Sequence, residues 1–281
     1  MKPVSDQLGR LWGHAFWGRV LRLARVVLGS WLRVRLALTD RGTGGVRRGV
    51  CPRGCAALAP VAAVMVPGPV RACGLALVLG LDVSASVDAQ EYRLQVEGTA
   101  AALTAPAVRR AVLAQPTAIA AFVWSGADEQ AEVADWVLIR DAAALDRLAG
   151  RIAAATRPDW GGRTATGAAL RHAAAVLAKA PVCARQVVDI ATDDRANEGP
   201  DPARLSLPGI TVNALAVGGD LPLDHGSRAD EGGALTAWLE AAVIRGPGAF
   251  VQSADDYRDF ARAMERKLLR EVMGLPVARN E

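Results

Sequence analysis

The chain has 281 residues, of which 51% are hydrophobic, enough apolar material for one full-sized core. Its basic excess is confined to residues 1–72, which carry 12 Lys and Arg against 2 Asp and Glu, while the rest carries 21 basic and 27 acidic side chains. An acidic body lacks the basic face that phosphate backbones require, which argues against nucleic-acid binding.

The first segment reads as a leader. From Val20 to Leu38 the chain is apolar, with Arg19, Arg22, Arg25, Arg33 and Arg35 in or beside the stretch. Residues 1–46 therefore suit either a membrane surface or an extension upstream of the true start. Arg47, Arg48 and Arg53 then precede an apolar stretch from Cys55 to Val66, followed by Pro67-Gly68-Pro69-Val70-Arg71-Ala72. That order of basic, apolar and small residues, over about 47–72, is the pattern of a secretory signal peptide, and it is too short for a membrane-spanning helix. The expected organisation is a leader over 1–72, a folded domain over 73–273 and a tail over 274–281. The expected location is periplasmic or extracellular, with membrane contact only through the leader.

After Cys73, strands and helices alternate. Leu75–Asp82 is a continuous apolar run, the mark of a strand buried on both faces. Asp88-Ala89-Gln90-Glu91 has capping-box spacing and opens a helix to about Leu103. Thr117–Trp124 and Glu132–Ile139 read as strands joined by the turn-like Ser125-Gly126-Ala127-Asp128, which fits an antiparallel hairpin. Helix is expected at about Asp141–Ala155 and at Thr166–Lys179, with a loop over Arg157–Arg163. Gln186–Thr192 and Ile210–Val217 read as further buried strands. A helix at Gly233–Val243, a short strand at Ala249–Gln252 and a helix from Asp255 to about Met273 complete the pattern. Such alternation predicts an α/β fold: a Rossmann-like, open, mainly parallel six-stranded sheet with one antiparallel edge strand and helices on both faces. Ligands of such sheets sit at the carboxyl ends of the strands, near the point where strand order reverses.

Cys51 and Cys55 fall in the leader. Cys73 and Cys183 each precede an apolar strand-like run, so parallel neighbouring strands would bring both thiols to one sheet edge within disulfide reach. Two unrelated thiols are the alternative. His14, His172 and His225 are scattered and no CxxC occurs, which argues against a zinc site.

The most informative run is Asp82-Val83-Ser84-Ala85-Ser86, at the end of the first strand. Alternate positions face one way, so Asp82, Ser84 and Ser86 can present a carboxylate and two hydroxyls to one point. Hard oxygen donors suit a divalent cation such as Mg2+. Two other segments end at the same rim by the logic of the sheet. Gly161-Gly162-Arg163-Thr164-Ala165-Thr166-Gly167 carries hydroxyls into a helix, and the strand ending at Thr192 runs into Asp193-Asp194.

Together these three segments resemble the von Willebrand factor type A domain and its metal-ion-dependent adhesion site, over about Cys73 to Met273. Finer pieces resemble a bacterial exported subfamily labelled as a domain of unknown function: Leu79-Gly80-Leu81-Asp82-Val83-Ser84-Ala85-Ser86-Val87-Asp88, Val123-Trp124-Ser125-Gly126, Gly246-Pro247-Gly248-Ala249-Phe250-Val251 and Arg266-Lys267-Leu268-Leu269-Arg270-Glu271. That subfamily usually continues its acidic position with Gly and a Pro-Asn-Asn-like stretch, where this chain has Asp193-Asp194-Arg195-Ala196-Asn197-Glu198-Gly199. The resemblance implies Mg2+, with Mn2+ or Ca2+ as alternatives. It implies that Ser84, Ser86 and Thr164 hold the ion and that Asp82 and Asp193 order hydroxyls and waters around it. A partner protein's Glu or Asp would complete the coordination, so the implied function is adhesion or assembly rather than catalysis.

Simpler readings stand beside these. Ser84 and Ser86 could cap the next helix, Thr166 reads as an N-cap or outer residue, and Asp194 as a solvated neighbour. Asp189 shares a strand face with Asp193 but lies about 13 Å along it, so it reads as a structural carboxylate. Trp124, Trp136 and Trp238 read as packing residues, whereas Trp160 flanks the Gly-Gly loop. Two functional alternatives remain: a metal-dependent hydrolase using Asp82, and a domain that binds partners through another face. The first is disfavoured because Ser, not an acid, occupies position 84.

Overall fold

The alternation of apolar strands and helical segments closes into one α/β layer structure in a computed structural model, which describes residues 73–160, 162–218 and 232–274. The leader and the tail beyond Gly274 lie outside the described residues. The strands are β1 (Cys73–Asp82), β2 (Thr117–Trp124), β3 (Gln130–Ile139), β4 (Cys183–Thr192), β5 (Ile210–Val217) and β6 (Val251–Ala254). Their order is β3-β2-β1-β4-β5-β6, with only β3 antiparallel to its neighbour.

The central strand shows why the sheet is buried on both sides. Leu75, Leu77, Leu79 and Leu81 point into one apolar cluster, and Ala76 and Val78 into another. The first cluster is closed by α1 (Ala89–Thr104), α2 (Pro106–Ala114), α3 (Ala142–Ala153) and α6 (Phe260–Met273), through residues such as Val96, Val108, Leu148 and Leu268. The second is closed by α4 (Thr166–Leu177), α5 (Gly232–Trp238) and the π-helical turn Leu239–Val243 that continues it. Burying apolar side chains on two faces is the dominant stabilising term in such a layer fold. Among the described residues no helix is long and apolar enough to cross a membrane.

The reading from sequence needs several adjustments, among them earlier starts for β3 at Gln130 and β4 at Cys183. Helix α2 was not anticipated. Pro106, which looks like a terminator, sits at the start of a new helix where its missing N–H costs nothing. The expected helix Gly233–Val243 divides into α5 and the π-helical turn. The last strand begins at Val251, not Ala249. The last helix begins at Phe260 rather than Asp255, because Asp256 accepts from the amides of Arg258 and Asp259 and holds a turn there.

Cys73 and Cys183 pair in register as the first residues of β1 and β4 and form a disulfide, with Cα atoms 4.5 Å apart. Strand order reverses at β1, whose successor β2 lies to one side while β4 lies on the other. The carboxyl ends of β1 and β4 therefore frame the crevice where such sheets bind ligands.

Candidate metal centre

Asp82 ends β1 with its side chain wholly buried. Its Oδ1 accepts from the Ser84 amide at 2.7 Å, which folds the chain into the tight loop after the strand. Its Oδ2 accepts from the Thr192 hydroxyl at 2.6 Å, at the end of β4. Gln95 on α1 donates to the Asp82 carbonyl at 2.8 Å, fixing the strand end from the helical layer. The Ser84 and Ser86 hydroxyls lie 3.2 Å apart, and Ser86 donates to Asp193 Oδ1 at 2.7 Å. One chain of oxygens thus runs from Ser84 through Ser86 to Asp193, while Asp82 anchors both strand ends. Ser84 is buried and Ser86 exposed, so the row leads from the interior to the surface. Neither serine caps α1: Asp88 does, accepting from the amides of Gln90 and Glu91 while Glu91 bonds back to the Asp88 amide.

The Gly-Gly segment joins this row through its backbone. The Gly162 carbonyl accepts from the Ala85 amide at 3.0 Å. Gly162 has φ of 82°, and a Cβ there would come within 2.7 Å of the Ala85 Cβ, so both conformation and space require glycine. Thr164 follows, buried, and its amide donates to Asn197 Oδ1 at 2.9 Å while its carbonyl accepts from the Asn197 amide. The acidic loop after β4 and the Gly-Gly loop are therefore stitched side by side. Thr166 is the first residue of α4 rather than its cap, which is Ala165, and the buried Thr166 hydroxyl has no hydrogen-bond partner among the described residues. Asp194 accepts from the Arg195 amide next to it and stays half-exposed. Trp160 packs against the first apolar cluster, and Trp136 donates its indole N–H to the Val176 carbonyl.

Several supporting residues carry no sequence signal of their own. Arg157 donates to the carbonyls of Val83 and Ser84 at 3.1 and 3.2 Å, holding the loop from the side. Ser125 donates to the Arg163 carbonyl and accepts, through its own carbonyl, the Ala165 amide. Thr192 is the exception, since a hydroxyl closing an apolar strand one residue before an acid marks it.

The electrostatics are one-sided. Burial, then repulsion from Asp193, raises Asp82 to about 7 against the opposing hydrogen bonds from Thr192 and Ser84. Burial likewise raises Asp193 to about 6, opposed by the Ser86 hydroxyl and reinforced by Asp194 and Glu91. The buried Tyr257 hydroxyl is pushed well above its usual value by burial and by the negative charges of Asp193, Asp82 and Glu91. The donor set is oxygen only, and the described residues contain no group of three or more His, Cys, Asp or Glu placed to hold a metal ion by themselves. Two carboxyls among hydroxyls fit a hard cation better than a thiolate- or imidazole-seeking one.

The sheet order and this rim define a von Willebrand factor type A fold. The chain belongs to the DUF1194 family, described as a protein of unknown function, which matches residues 72–276. No curated protein matches the chain. Among solved structures, it is similar to proximal thread matrix protein 1 of the mussel byssus, with 14% identity, a TM-score of 0.51, and coverage of 70% of this chain and 48% of that one. It is also similar to a von Willebrand factor type A protein from Catenulispora acidiphila, with 18% identity, a TM-score of 0.47, and coverage of 71% and 43%. For the corresponding domain of the type V pili tip protein Mfa5 from Porphyromonas gingivalis the values are 14%, 0.47, and 74% and 98%. The chain thus spans less than half the length of the first two.

Proposed function

We propose that the chain is an exported, non-enzymatic module that captures a protein partner through a bound divalent cation. Mg2+ suits the donor set best, with Mn2+ or Ca2+ as substitutes. One observation carries the reading: the buried Asp82 carboxyl, the half-buried Asp193 carboxyl and a row of hydroxyls converge at the switch point of the sheet. Ser84, Ser86 and Thr164 would hold the ion, and Asp82 and Asp193 would orient those hydroxyls and bound waters. Thr166 and Asp194 stand at the rim. Because the direct ligands are neutral hydroxyls, the ion supplies an electrophilic position that a partner's Glu or Asp fills.

The domain limits of this module are 73–273. Its disulfide supports an oxidising compartment, periplasmic or extracellular, which the signal-like segment over 47–72 would reach. A protein partner suits the acidic domain better than nucleic acid does, and membrane contact belongs to the leader alone.

Titration calorimetry of the EDTA-treated full chain with Mg2+, repeated with Mn2+, tests the metal. One ion should bind, and an Asp82→Ala, Ser84→Ala double variant with unchanged circular dichroism should bind none. A folded wild-type chain that binds neither ion refutes the reading. For the role, partner capture from envelope extracts should fail in EDTA, and capture indifferent to EDTA would place the binding face elsewhere.

A further inference from the structure

A second cluster of titratable groups lies inside the fold, on the helix–sheet interface of α6. Lys267, Asp189 and Glu271 are all buried. Lys267 Nζ lies 2.5 Å from Asp189 Oδ1 and 2.6 Å from Glu271 Oε1. Asn213 Nδ2 on β5 donates to the same Glu271 oxygen at 2.7 Å, and the Asn213 side-chain Oδ1 accepts from the Phe250 amide. The Phe250 ring centroid is 5.5 Å from Nζ, so the lysine is walled by an aromatic face. Asp189 thus meets this lysine and lies beside the Glu271 carboxyl as well. The cluster therefore buries two carboxyls against one ammonium, an arrangement whose desolvation the single ion pair repays poorly.

We propose that Lys267 and Asp189 condense spontaneously into an intramolecular isopeptide bond, with Glu271 carrying the proton. In that step Glu271 takes a proton from the Lys267 ammonium, and the freed amine attacks the Asp189 carboxyl carbon. The C–N bond forms, a C–O bond of Asp189 breaks, and the departing hydroxyl leaves as water with the proton returned through Glu271. One ammonium and one carboxylate become one neutral amide and one water, so no oxidant or external reactant is required.

Three features favour the step. An amine in hydrogen-bond contact with a carboxyl oxygen holds the carboxyl carbon near the attack distance of about 3–3.5 Å, and such fixed pairs react with effective molarities of roughly 10^5–10^8 M. Burial favours the uncharged acid of Asp189, the form that can lose hydroxide, and raises Glu271 to about 7, where a carboxyl both accepts and returns a proton. Condensation also replaces a poorly repaid buried acid–ammonium contact with one neutral amide, which offsets the unfavourable loss of water in bulk solution. The product would tie α6 to the middle of β4.

Peptide mapping of the reduced, alkylated full chain tests this. Trypsin should yield a branched peptide joining residues 186–195 to residues 267–270, lighter than the two parts together by about 18 Da, one water. The linear peptide 186–195 should be missing from the wild type. Glu271→Gln should restore the linear peptide while the disulfide still forms, and Lys267→Met should abolish the branch. Recovery of unmodified 186–195 from the folded wild type in full yield overturns the proposal. A loss of about 17 Da, with Lys267 joined to Asn213 instead, overturns Asp189 as the acceptor.

Discussion

Reducing the bond between Cys73 and Cys183 offers the most quantitative check on the architecture. The two cysteines are 110 residues apart in sequence, and the loop they close contains α1 to α4, β2 and β3. Constraint of the unfolded chain by a loop of that length stabilises the fold by about 5 kcal/mol at 25 °C in the chain-entropy view. A domain of this size shifts its melting temperature by roughly 2–4 °C per kcal/mol, so full reduction should lower it by roughly 10–20 °C. The assay is thermal and urea unfolding of the chain with and without a phosphine reductant. A Cys73→Ala, Cys183→Ala variant serves as control and should melt like the reduced wild type and ignore the reductant. Because both thiols start neighbouring central strands, their removal opens no rim contact, and metal binding at 25 °C should persist. A reduced chain within about 1 kcal/mol of the oxidised one would refute the loop argument and imply an already compact unfolded state.

Two further outcomes follow from the rim. The carboxyls of Asp82 and Asp193 titrate near 7 and 6 in the metal-free fold, well above their ordinary 3.8. The folded chain then holds protons that the unfolded chain has already released, so metal-free stability contributed by these groups is lost as pH rises from about 4 through 7. Mg2+ replaces those protons, so the melting-temperature gain on adding Mg2+ should be larger at pH 8 than at pH 5.5; an equal or larger gain at pH 5.5 would show that these carboxyls do not face the ion. Gly162→Ala forces a side chain into a left-handed backbone against Ala85, and should cost on the order of 1–3 kcal/mol in urea unfolding while weakening Mn2+ binding at least about tenfold. Unchanged binding in that variant would separate the Gly-Gly loop from the metal.

The central strands β1, β2, β4 and β5 were legible because each is mainly a run of apolar residues, and β1 and β4 meet their rim acids, Asp82 and Asp193, at or just after their ends. The three rim segments were legible for the same reason: each brings its own hydroxyls or carboxylate, and the sheet rule gathers strand ends. What could not be read depends on approach in space. Asn197 clasps the backbone of Thr164, and Arg157 the loop after Asp82, through contacts that no local spacing encodes. Lys267 and Glu271 are more instructive still. Their i, i+4 spacing on a helix reads as a solvated surface pair, yet both are buried against a strand carboxylate. Asp189 stood out as a charge in an apolar strand, but the cation that answers it lies on the last helix.

The disulfide also decides how the domain meets a mechanical pull. Cys73 is the first residue of the central strand, so tension arriving from the preceding chain would otherwise peel β1 from its two neighbours one hydrogen bond at a time. With Sγ of Cys73 bonded to Cys183, that tension passes at once into β4 and spreads over two strands in parallel. Strands loaded together must break their ladders in concert, which resists force far better than sequential unzipping. Force applied at the amino end would thus reach the loop after Asp82 through two coupled strands rather than one.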